Sequence, residues 1–498
     1  MRDCFLTIDV GTTAIKVSAV SKTYVLIACS KKEYQLKTEG ERVTLPPSVY
    51  WDTAVQGIRE LLQAIDSSRI AGITVTTQGE TMIPVDREGQ VLHDAVVWLD
   101  GRAGKQAEKI REVVSSEGFY QTTGVPECNE LCPISKLLWF KEEKPEIYEG
   151  AKYFLLLEDY MILRLTGRAV TEKSLLSTTG YFDLVRDEIW EELLLKLELD
   201  PVKIPPMLDC GEVVGSLLET VAQELGIPAD VRVVTGAMDQ VCGALGAGNF
   251  IPGMLSETTG TALCIGKTIE KNSIDPRGLI PVYRHYRKDL QLLLPVCMTA
   301  GMALKWFKDT FCAEESKEAR KHGVDVYDLL SEMASQAEPL SGGMIMLPYL
   351  AGSLQPYQAP DYRGGFLGVS LDSKKSDFIR ALMEGVAYML KENLLLLDGM
   401  GGRSDTIYSM GGGSRSDVWC QIKADVSDRK VYAVEESETA SIGAAMLCAM
   451  GLAGEKYLKN QVENTAERRE YIPRPELVKK YQAGYEKYSR YLSRTLEV

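Results

Sequence analysis

The order of apolar and polar positions predicts that the chain opens with three short strands. Residues 5–9, 15–20 and 25–29 are rich in β-branched and other apolar residues, and only a few residues separate them. Such spacing is typical of an antiparallel meander. Residues 51–65 then carry apolar side chains at helical spacing, and residues 73–77 return to the strand pattern. Strands that alternate with helices in this way predict an α/β fold.

A similar order of elements starts again near the middle of the chain. Residues 255–257 and 262–265 predict a second opening hairpin, with a Gly-Thr turn between its strands. A long helix is predicted for residues 376–397, with Ser376 as its N-cap. Each half therefore begins with a strand, a Gly-Thr turn and a strand, which indicates an internal repeat.

The length of the chain also favours two domains. Its 498 residues are too many for one hydrophobic core, since domains usually contain about 50–250 residues. The second hairpin begins shortly after Ile251, and no low-complexity linker precedes it. We therefore predict an N-terminal domain over residues 1–250 and a C-terminal domain over residues 251–498.

Charge and hydropathy exclude several classes of function. The net charge of −14 argues against sequence-independent binding to nucleic acids or anionic membranes, because both need a positive surface. No apolar run approaches the roughly 20 residues that cross a bilayer, and the N-terminus has no signal-peptide pattern. A cytoplasmic protein is the resulting prediction. A nucleotide substrate is still compatible with this charge, because backbone amides and hydroxyls can hold phosphates.

Cysteine and histidine usage narrows the chemistry further. The eleven cysteines are scattered, and the closest pair, Cys128 and Cys132, has no neighbouring histidine or second pair to complete a zinc site. Free thiols of a reducing compartment are the better interpretation. Only three histidines occur, His93, His285 and His322. A carboxylate is therefore the expected catalytic base.

Two glycine–threonine loops are candidate phosphate sites. Residues 9–13 (Asp-Val-Gly-Thr-Thr) and 258–261 (Thr-Thr-Gly-Thr) each connect two predicted strands. Glycine lets backbone N–H groups approach an anion, and the threonine hydroxyls add donors. Asp9 could hold magnesium through water, and Lys16 lies within reach of a phosphate. A plain β-turn is the alternative for each loop, but one such loop at the start of each half favours phosphate binding.

A third glycine-rich segment, residues 411–416, follows one predicted strand and precedes a helix. Its glycines would let a flat ligand lie against the backbone, and a serine could bond an adenine or ribose edge. The segment has neither the Gly-x-Gly-x-x-Gly spacing of dinucleotide sites nor the pattern of a P-loop. A glycine-rich turn without a ligand is the alternative.

Eight segments match, in order, the motifs of one known family: residues 9–13, 98–102, 136–140, 236–240, 259–261, 364–369, 411–416 and 438–445. On these motifs the chain resembles the FGGY carbohydrate kinases, within the actin-like ATPase superfamily, over nearly its whole length. The resemblance implies two actin-like (ribonuclease H-like) domains with an interdomain catalytic cleft. It further implies that the N-terminal domain binds the sugar and supplies the base, and that the C-terminal domain binds the nucleotide.

The resemblance also assigns roles to individual residues. Asp239 corresponds to the general base, which accepts the proton of the attacking hydroxyl; a helix N-cap is the structural alternative. The implied cofactors are ATP and Mg²⁺, with Asp9 associated with the metal. The implied contacts to the phosphates and nucleotide are Gly11, Thr12, Thr13, Lys16, Thr259, Gly260, Thr261, Gly301, Lys305, Gly412, Gly413 and Ser416.

The acceptor is less well defined by the sequence. Expected contacts to substrate hydroxyls are Gln78, Glu80, Trp98, Asp100, Asp239 and Gln240. Core packing is the alternative for Trp98, and a pair with Arg102 is the alternative for Asp100. Glycerol kinases carry an arginine where this chain has Gly79, so we expect a larger pocket and a xylulokinase-like acceptor, either a ketopentose or a pentitol or tetritol.

Two other functions are weighed against this one. Glycerol kinase activity is the first alternative, and a non-sugar actin-like ATP-binding protein is the second. The pair Asp239–Gln240 argues against the second, and an oxidoreductase lacks the dinucleotide fingerprint. The expected partners are a small sugar or polyol and ATP, without nucleic acid or membrane, and a homodimer is left open.

Overall fold

The computed structural model describes residues 2–271, 274–353, 355–434, 438–454 and 468–496. The chain divides into two compact units. The first comprises Met1–Gly248, Glu270–Leu292 and Glu438–Thr465, and the second comprises Asn249–Ile269, Leu293–Ser437 and Ala466–Val498. None of the described helices is both long and apolar enough to cross a membrane. Across the described part of the chain, which includes all eleven cysteines, every thiol is free of a disulfide.

Strands and helices alternate through the first 248 residues. The strands are β1 (Cys4–Val10), β2 (Ala14–Ser21), β3 (Leu26–Glu33), β4 (Lys37–Glu39), β5 (Arg42–Leu45), β6 (Ile70–Thr77), β7 (Met82–Val85), β8 (Ala95–Val96), β9 (Tyr153–Leu156), β10 (Thr171–Glu172), β11 (Phe182–Asp183), β12 (Glu188–Ile189), β13 (Met207–Leu208), β14 (Val213–Ser216) and β15 (Arg232–Val234). The helices are α1 (Pro47–Leu61), α2 (Gly104–Val113), α3 (Ser116–Thr123), α4 (Pro133–Glu143), α5 (Pro145–Gly150), α6 (Leu157–Thr166), α7 (Lys173–Leu176), α8 (Glu191–Lys196), α9 (Glu219–Leu225) and α10 (Asp239–Ala247).

The remaining residues form ten more strands and seven more helices among those described. The strands are β16 (Leu255–Thr259), β17 (Leu263–Glu270), β18 (Val282–Arg284), β19 (Leu290–Leu293), β20 (Val296–Cys297), β21 (Ile345–Met346), β22 (Phe366–Leu367), β23 (Thr406–Met410), β24 (Lys430–Val434) and β25 (Arg468–Tyr471). The helices are α11 (Gly301–Phe311), α12 (Ala313–His322), α13 (Val326–Gln336), α14 (Lys375–Asp398), α15 (Asp417–Ser427), α16 (Thr439–Ala453) and α17 (Pro475–Leu496).

A six-stranded sheet forms the centre of the first unit, in the order β14-β15-β6-β1-β2-β3. Strands β1, β2 and β3 pair antiparallel, so the predicted meander is confirmed, while β6 runs parallel to both β1 and β15. Side chains of β1 are buried almost throughout, as expected of a strand with helices on both faces. Leu6, Ile8 and Val17 share one core with Trp51 of α1.

On the other face of this sheet, helices α10 and α16 cross at very close range. A Cβ atom placed on Gly443 would lie 1.9 Å from the Cys242 oxygen, and one on Gly246 would lie 1.9 Å from the Thr439 oxygen. Only glycine permits this approach of two backbones. Ser18 of β2 donates a hydrogen bond to Ser441 of α16 (3.1 Å). Helix α16 therefore belongs to the first unit, although it lies late in the chain.

The central sheet of the second unit repeats the strand relations of the first. Strands β16 and β17 form an antiparallel hairpin, β20 adds antiparallel to β17, and β23 and β24 continue parallel from β16. β25 then pairs antiparallel with β24 at the edge. The meander of β16, β17 and β20 thus corresponds to that of β1, β2 and β3, and the predicted internal repeat is confirmed.

The predicted N-cap of the long helix α14 is wrong. The helix begins at Lys375, and its N-cap position is Lys374. The carboxylate of Asp377 accepts the backbone N–H of Lys374 (2.8 Å). Because this bond satisfies a free N–H group at the helix start, the helix begins before Ser376.

The glycine contact between α10 and α16 leads to a testable prediction. We expect Gly246→Ala to lower the melting temperature by about 2–12 °C, because overpacking of this kind costs about 1–3 kcal/mol and the neighbouring atom is backbone. Gly243→Ala is the matched control on the same helix, since a Cβ there meets no atom within 4 Å. Thermal denaturation followed by circular dichroism gives the comparison, and equal melting temperatures for the two variants would contradict the prediction.

Candidate active site

The first glycine–threonine loop is a tight turn between β1 and β2. The backbone N–H of Gly11 donates to the Ala14 oxygen (3.0 Å), and the Tyr34 hydroxyl donates to the Gly11 oxygen. Trp98 Nε1 donates to the hydroxyl of Thr12 (3.1 Å). Thr13 is exposed. The turn expected as the structural alternative is therefore present, and its side chains leave a polar surface that an anion could contact.

Two buried carboxylates near this loop have raised pKa values. Burial raises the pKa of Asp9 to about 7, and the nearby charge of Asp239 adds to the rise. Burial raises the pKa of Asp239 to about 6, against the hydrogen bonds from Gln240. Like charges in a poorly hydrated site favour protonation, and a divalent cation would relieve this repulsion.

A magnesium ion would fit Asp9 only together with other ligands. Within the described part of the chain, no cluster of three or more His, Cys, Asp or Glu side chains is arranged to hold a metal. Mg²⁺ in phosphoryl-transfer sites is commonly bound by one or two carboxylates and the substrate phosphates. Asp9 is suited to that kind of site. Lys16, the predicted phosphate contact, instead forms an ion pair with Glu438 (2.7 Å).

The backbone that precedes Asp239 is held by three buried side chains. The Glu158 carboxylate accepts a hydrogen bond from the backbone N–H of the first residue of the segment 236–238 (2.8 Å). The Ser174 hydroxyl accepts one from the backbone N–H of its last residue (2.9 Å). The Thr76 hydroxyl donates a hydrogen bond to the backbone oxygen of its middle residue (2.7 Å). Asp239 is the first residue of α10, with Met238 at the N-cap position, so the N-cap alternative for Asp239 is not observed. These three supporting residues were not found from the sequence, because they come from β6, α6 and α7.

Lys136 connects the two segments that carry the predicted sugar contacts. Its fully buried ammonium group donates to the carbonyl oxygens of Glu80 (3.1 Å), Val97 (3.0 Å) and Trp98 (3.4 Å). Glu80 has a φ of 64°, a strained conformation for a residue with a side chain. Burial raises the pKa of Glu80 and lowers that of Lys136, and each charge partly opposes the shift of the other. The sequence motif of residues 136–140 contains Lys136 but gives it no role.

The predicted substrate residues have unequal freedom to bind a ligand. The carboxylate of Asp100 is fully buried and bonds both Arg102 (2.7 Å) and the backbone N–H of Val43 (2.5 Å). The internal pair considered for this residue is therefore observed. Gln78 is mostly buried and donates to Thr81 (3.3 Å). Gln240 is half-buried, beside Asp239.

The structure also bears on the predicted roles of Trp98 and Gly79. Trp98 is half-buried and packs against the core of the first unit, as the core-packing alternative for this residue requires. Its indole nitrogen also donates a hydrogen bond to the Thr12 hydroxyl. A Cβ on Gly79 would lie 3.2 Å from the Thr178 hydroxyl. Because Thr178 fills this direction, the glycine by itself does not enlarge the pocket. The charge of Glu80 also raises the pKa of Asp239, so these two carboxylates lie near one another.

The second unit contains a cavity of about 360 Å³, a size suited to a small ligand. All eight nucleotide contacts predicted in the second half of the chain line it: Thr259, Gly260, Thr261, Gly301, Lys305, Gly412, Gly413 and Ser416. The sequence did not reveal the contribution of α13, whose Tyr327, Asp328 and Ser331 line the same cavity. No local motif marks that helix.

The glycines of this cavity are required by packing between loops. The N–H of Gly301 donates to the Gly260 oxygen (2.8 Å), and a Cβ on Gly301 would lie 2.4 Å from that oxygen. A Cβ on Gly413 would lie 2.6 Å from the Cβ of Thr259. Residues 259–261 and residues 411–416, which line two sides of the cavity, are thus in direct contact. Lys305 forms an ion pair with Asp309 (2.6 Å) at the rim.

Family models match both halves of the chain. The model of the N-terminal domain of the FGGY family of carbohydrate kinases matches residues 4–246, and that of the C-terminal domain matches residues 255–452. The chain belongs to the FGGY family of carbohydrate kinases. Enzymes of this kind transfer a phosphoryl group from ATP to a sugar hydroxyl, so the predicted family and enzyme class are confirmed.

Individual relatives resemble this kinase over nearly its whole length. The xylulose kinase of Bacillus subtilis (strain 168) is 29% identical over 99% of this chain and 97% of its own. The gluconokinase of the same organism is 30% identical, with 91% of this chain and 88% of its own length covered. The crystal structure of ligand-bound xylulose kinase from Lactobacillus acidophilus is similar with a TM-score of 0.89 at 25% identity, over 99% of this chain and 98% of that one.

The fold extends to more distant kinases. Plasmodium falciparum glycerol kinase with ADP has a TM-score of 0.88 at 19% identity and covers 99% of this chain and 98% of its own, a likeness of fold alone. The predicted α/β class with two actin-like domains is confirmed. The interdomain cleft, the division of roles between domains 1–250 and 251–498 and the roles of single residues stay predictions.

The contacts of Lys136 lead to a prediction for the acceptor. We expect Lys136→Met to raise the KM for the sugar by at least about tenfold, because a hydrogen bond to a charged group contributes about 1.5–3 kcal/mol and three carbonyls lose their donor. The KM for ATP should stay within about twofold. Lys141→Met, on the same helix α4 but partly exposed, is the control. Steady-state kinetics with each substrate varied in turn measures both constants, and an unchanged sugar KM would refute this role.

Proposed function

We propose that this kinase phosphorylates a hydroxyl group of a ketopentose, pentitol or tetritol, with Asp239 as the general base. The observation that carries the proposal is the position of Asp239 as the first residue of α10. Buried side chains bond the backbone just before it, and burial raises its pKa to about 6. Such a carboxylate is ionised at neutral pH and still basic enough to accept a hydroxyl proton.

The proposed contacts to ATP come from the two glycine–threonine loops and the cavity of the second unit. Residues 259–261 and Gly301 would hold phosphates, Thr259 through its backbone because its hydroxyl donates to Glu257. Gly412 and Ser416 would contact the adenosine. In the first unit, residues 11–13 would contact phosphates, and Asp9 would hold Mg²⁺. When bound, Mg²⁺ neutralises phosphate charge during transfer.

Charge in the first unit favours a neutral acceptor. Xylulose kinases and gluconokinases are both among the relatives, so a sugar acid is the second candidate. Asp239, which is ionised at neutral pH, would repel the carboxylate of a sugar acid, and the ionised fractions of Asp9 and Glu80 would add to this repulsion. The lysines of the same region are engaged, Lys16 with Glu438 and Lys136 with three carbonyls. A neutral ketose or polyol is therefore the better match.

The remaining parts of the proposal concern partners and location. The net charge of −14 supports a small sugar and ATP as partners, without nucleic acid or an anionic membrane. The free thiols support a cytoplasmic location. A homodimer stays open.

The base assignment predicts the behaviour of one isosteric variant. Asp239→Asn keeps the size of the side chain but cannot accept the proton, so we expect kcat to fall by about 10²–10⁴-fold. The dissociation constant for ADP should stay within about twofold of the wild type. Asp200→Asn, at a capping position of the same unit, is the control. Coupled ATP-consumption assays and calorimetry with ADP make the comparison, and a fully active Asp239→Asn variant would exclude Asp239 as the base.

An acceptor screen tests the substrate. ATP consumption is measured with ketopentoses, pentitols, tetritols, ketohexoses, glycerol and gluconate at equal concentrations. We expect a ketopentose, pentitol or tetritol to give a kcat/KM at least about tenfold above those of glycerol and gluconate, since differential contacts to substrate hydroxyls give discrimination of that size or larger. The highest value for glycerol or gluconate would contradict the proposed acceptor. ATP consumption that needs no acceptor would contradict the proposed function itself.

A further inference from the structure

A fully buried ion pair lies beneath the cavity of the second unit. Lys423 of α15 and Glu257 of β16 are both 0% exposed, and Lys423 Nζ lies 2.5 Å from Glu257 Oε1. Neither residue was singled out by the sequence motifs. Both are adjacent to segments that line the cavity, since β16 leads into residues 259–261 and α15 follows residues 411–416.

The pair is part of a network that reaches the phosphate loop. The hydroxyl of Thr259 donates to Glu257 Oε2 (2.7 Å). Lys423 Nζ also donates to the hydroxyl of Ser409 on β23 (3.2 Å), which in turn donates to Glu257. One buried carboxylate thus connects β16, β23 and α15. Thr259 is 1% exposed, so its hydroxyl is committed to this network.

The network also reaches the opposite side of the cavity. Thr259 is the residue against which Gly413 packs, with 2.6 Å between a Cβ placed on Gly413 and the Cβ of Thr259. The ammonium group of Lys423 lies 5.5 Å from the ring centre of Trp419, and Trp419 lines the cavity. A displacement of Thr259 or Trp419 would therefore change the shape of the nucleotide site from two sides.

General stability does not explain such a pair. Removing two charges from water is unfavourable, and apolar residues of similar size often serve stability equally well. Buried polar networks are instead well suited to fix one arrangement of neighbouring segments, provided that every member is bonded. Here the bonded members surround the contact between the phosphate loop and residues 411–416.

We propose that Lys423 is a positioning residue for the nucleotide. Through Glu257 and Thr259 it fixes the phosphate loop relative to α15 and the glycine-rich segment before it, without touching the nucleotide. This inference rests on the proposed nucleotide role of the cavity. It adds that Lys423 fixes the two sides of the cavity relative to each other.

The test uses the full-length kinase and ADP. Lys423→Met removes the cation but keeps much of the side-chain volume, and we expect the dissociation constant for ADP to rise about tenfold or more, as for other binding sites that lose a supporting partner. The KM for ATP should rise in parallel, while the KM for the sugar stays within about twofold. Calorimetry and steady-state kinetics give these values.

A matched control separates positioning from loss of stability. Arg380 and Glu384 form another buried ion pair in the second unit, on α14 (2.9 Å; 6% and 2% exposed). Arg380→Met should lower the melting temperature much as Lys423→Met does, with ADP affinity within about twofold of the wild type. Equal losses of ADP affinity in both variants would show a general effect of destabilisation and overturn the inference.

A double variant gives the second separation. Glu257→Gln combined with Lys423→Met removes the buried charge that the single variant leaves unpaired, so the melting temperature should recover. ADP affinity should stay low, because the bond to α15 is still missing. Recovery of both properties would mean that Lys423 acts through stability alone, and would overturn the inference.

Three more outcomes are decisive. If Lys423→Met does not fold, Ser409→Ala serves in its place, because it weakens the same network. We expect this variant to bind ADP about threefold more weakly, and wild-type affinity in it would overturn the inference.

A wild-type kinase that fails to bind ADP would refute the proposed nucleotide cavity itself. Normal ADP binding by both the wild type and a folded Lys423→Met variant would refute only the positioning role.

Discussion

Ionised groups that are removed from water need partners inside the protein, and the sites of this kinase depend on how that need is met. Lys136 is buried against three carbonyl oxygens, and in doing so it holds the segments that carry Glu80 and Trp98. Burial raises the pKa of both Asp9 and Asp239, and the charge of Asp239 adds to the rise at Asp9. In the proposed function, these carboxylates would meet an acceptor hydroxyl and the magnesium complex of ATP.

Sheet topology explains why the candidate residues come from distant parts of the chain. Asp9 lies near the end of β1, Gln78 follows β6, and Asp239 follows β15 by a few residues. These three strands are parallel neighbours in one sheet, so their carboxyl ends lie at one edge, where α/β folds bind ligands. The second unit places residues 259–261 and 411–416 at the corresponding ends of β16 and β23.

Local patterns in the sequence predicted the elements and much of the lining of the cavity in the second unit. The meander, the repeat and the eight cavity residues depend on spacing, turn chemistry and motifs, all of which are properties of short segments. The supports of Asp239 could not be found in this way, because Glu158, Ser174 and Thr76 meet only after folding. The same reason applies to Thr178, which fills the space beside Gly79, and to the N-cap of α14, which was decided by one bond to Asp377.

The late position of α16 has a consequence for synthesis and for truncation. A chain released or cleaved after residue 250 would contain all six strands of the first central sheet but would lack the helix that covers β1, β2 and β6 on one face. That face would then be exposed to water, and α10 would lack α16, the helix against which it packs at close range. On the ribosome, the N-terminal half must therefore wait for nearly the whole chain before its own core is closed. Fragments that end at the apparent domain boundary are consequently expected to aggregate, however well their sequence defines a domain.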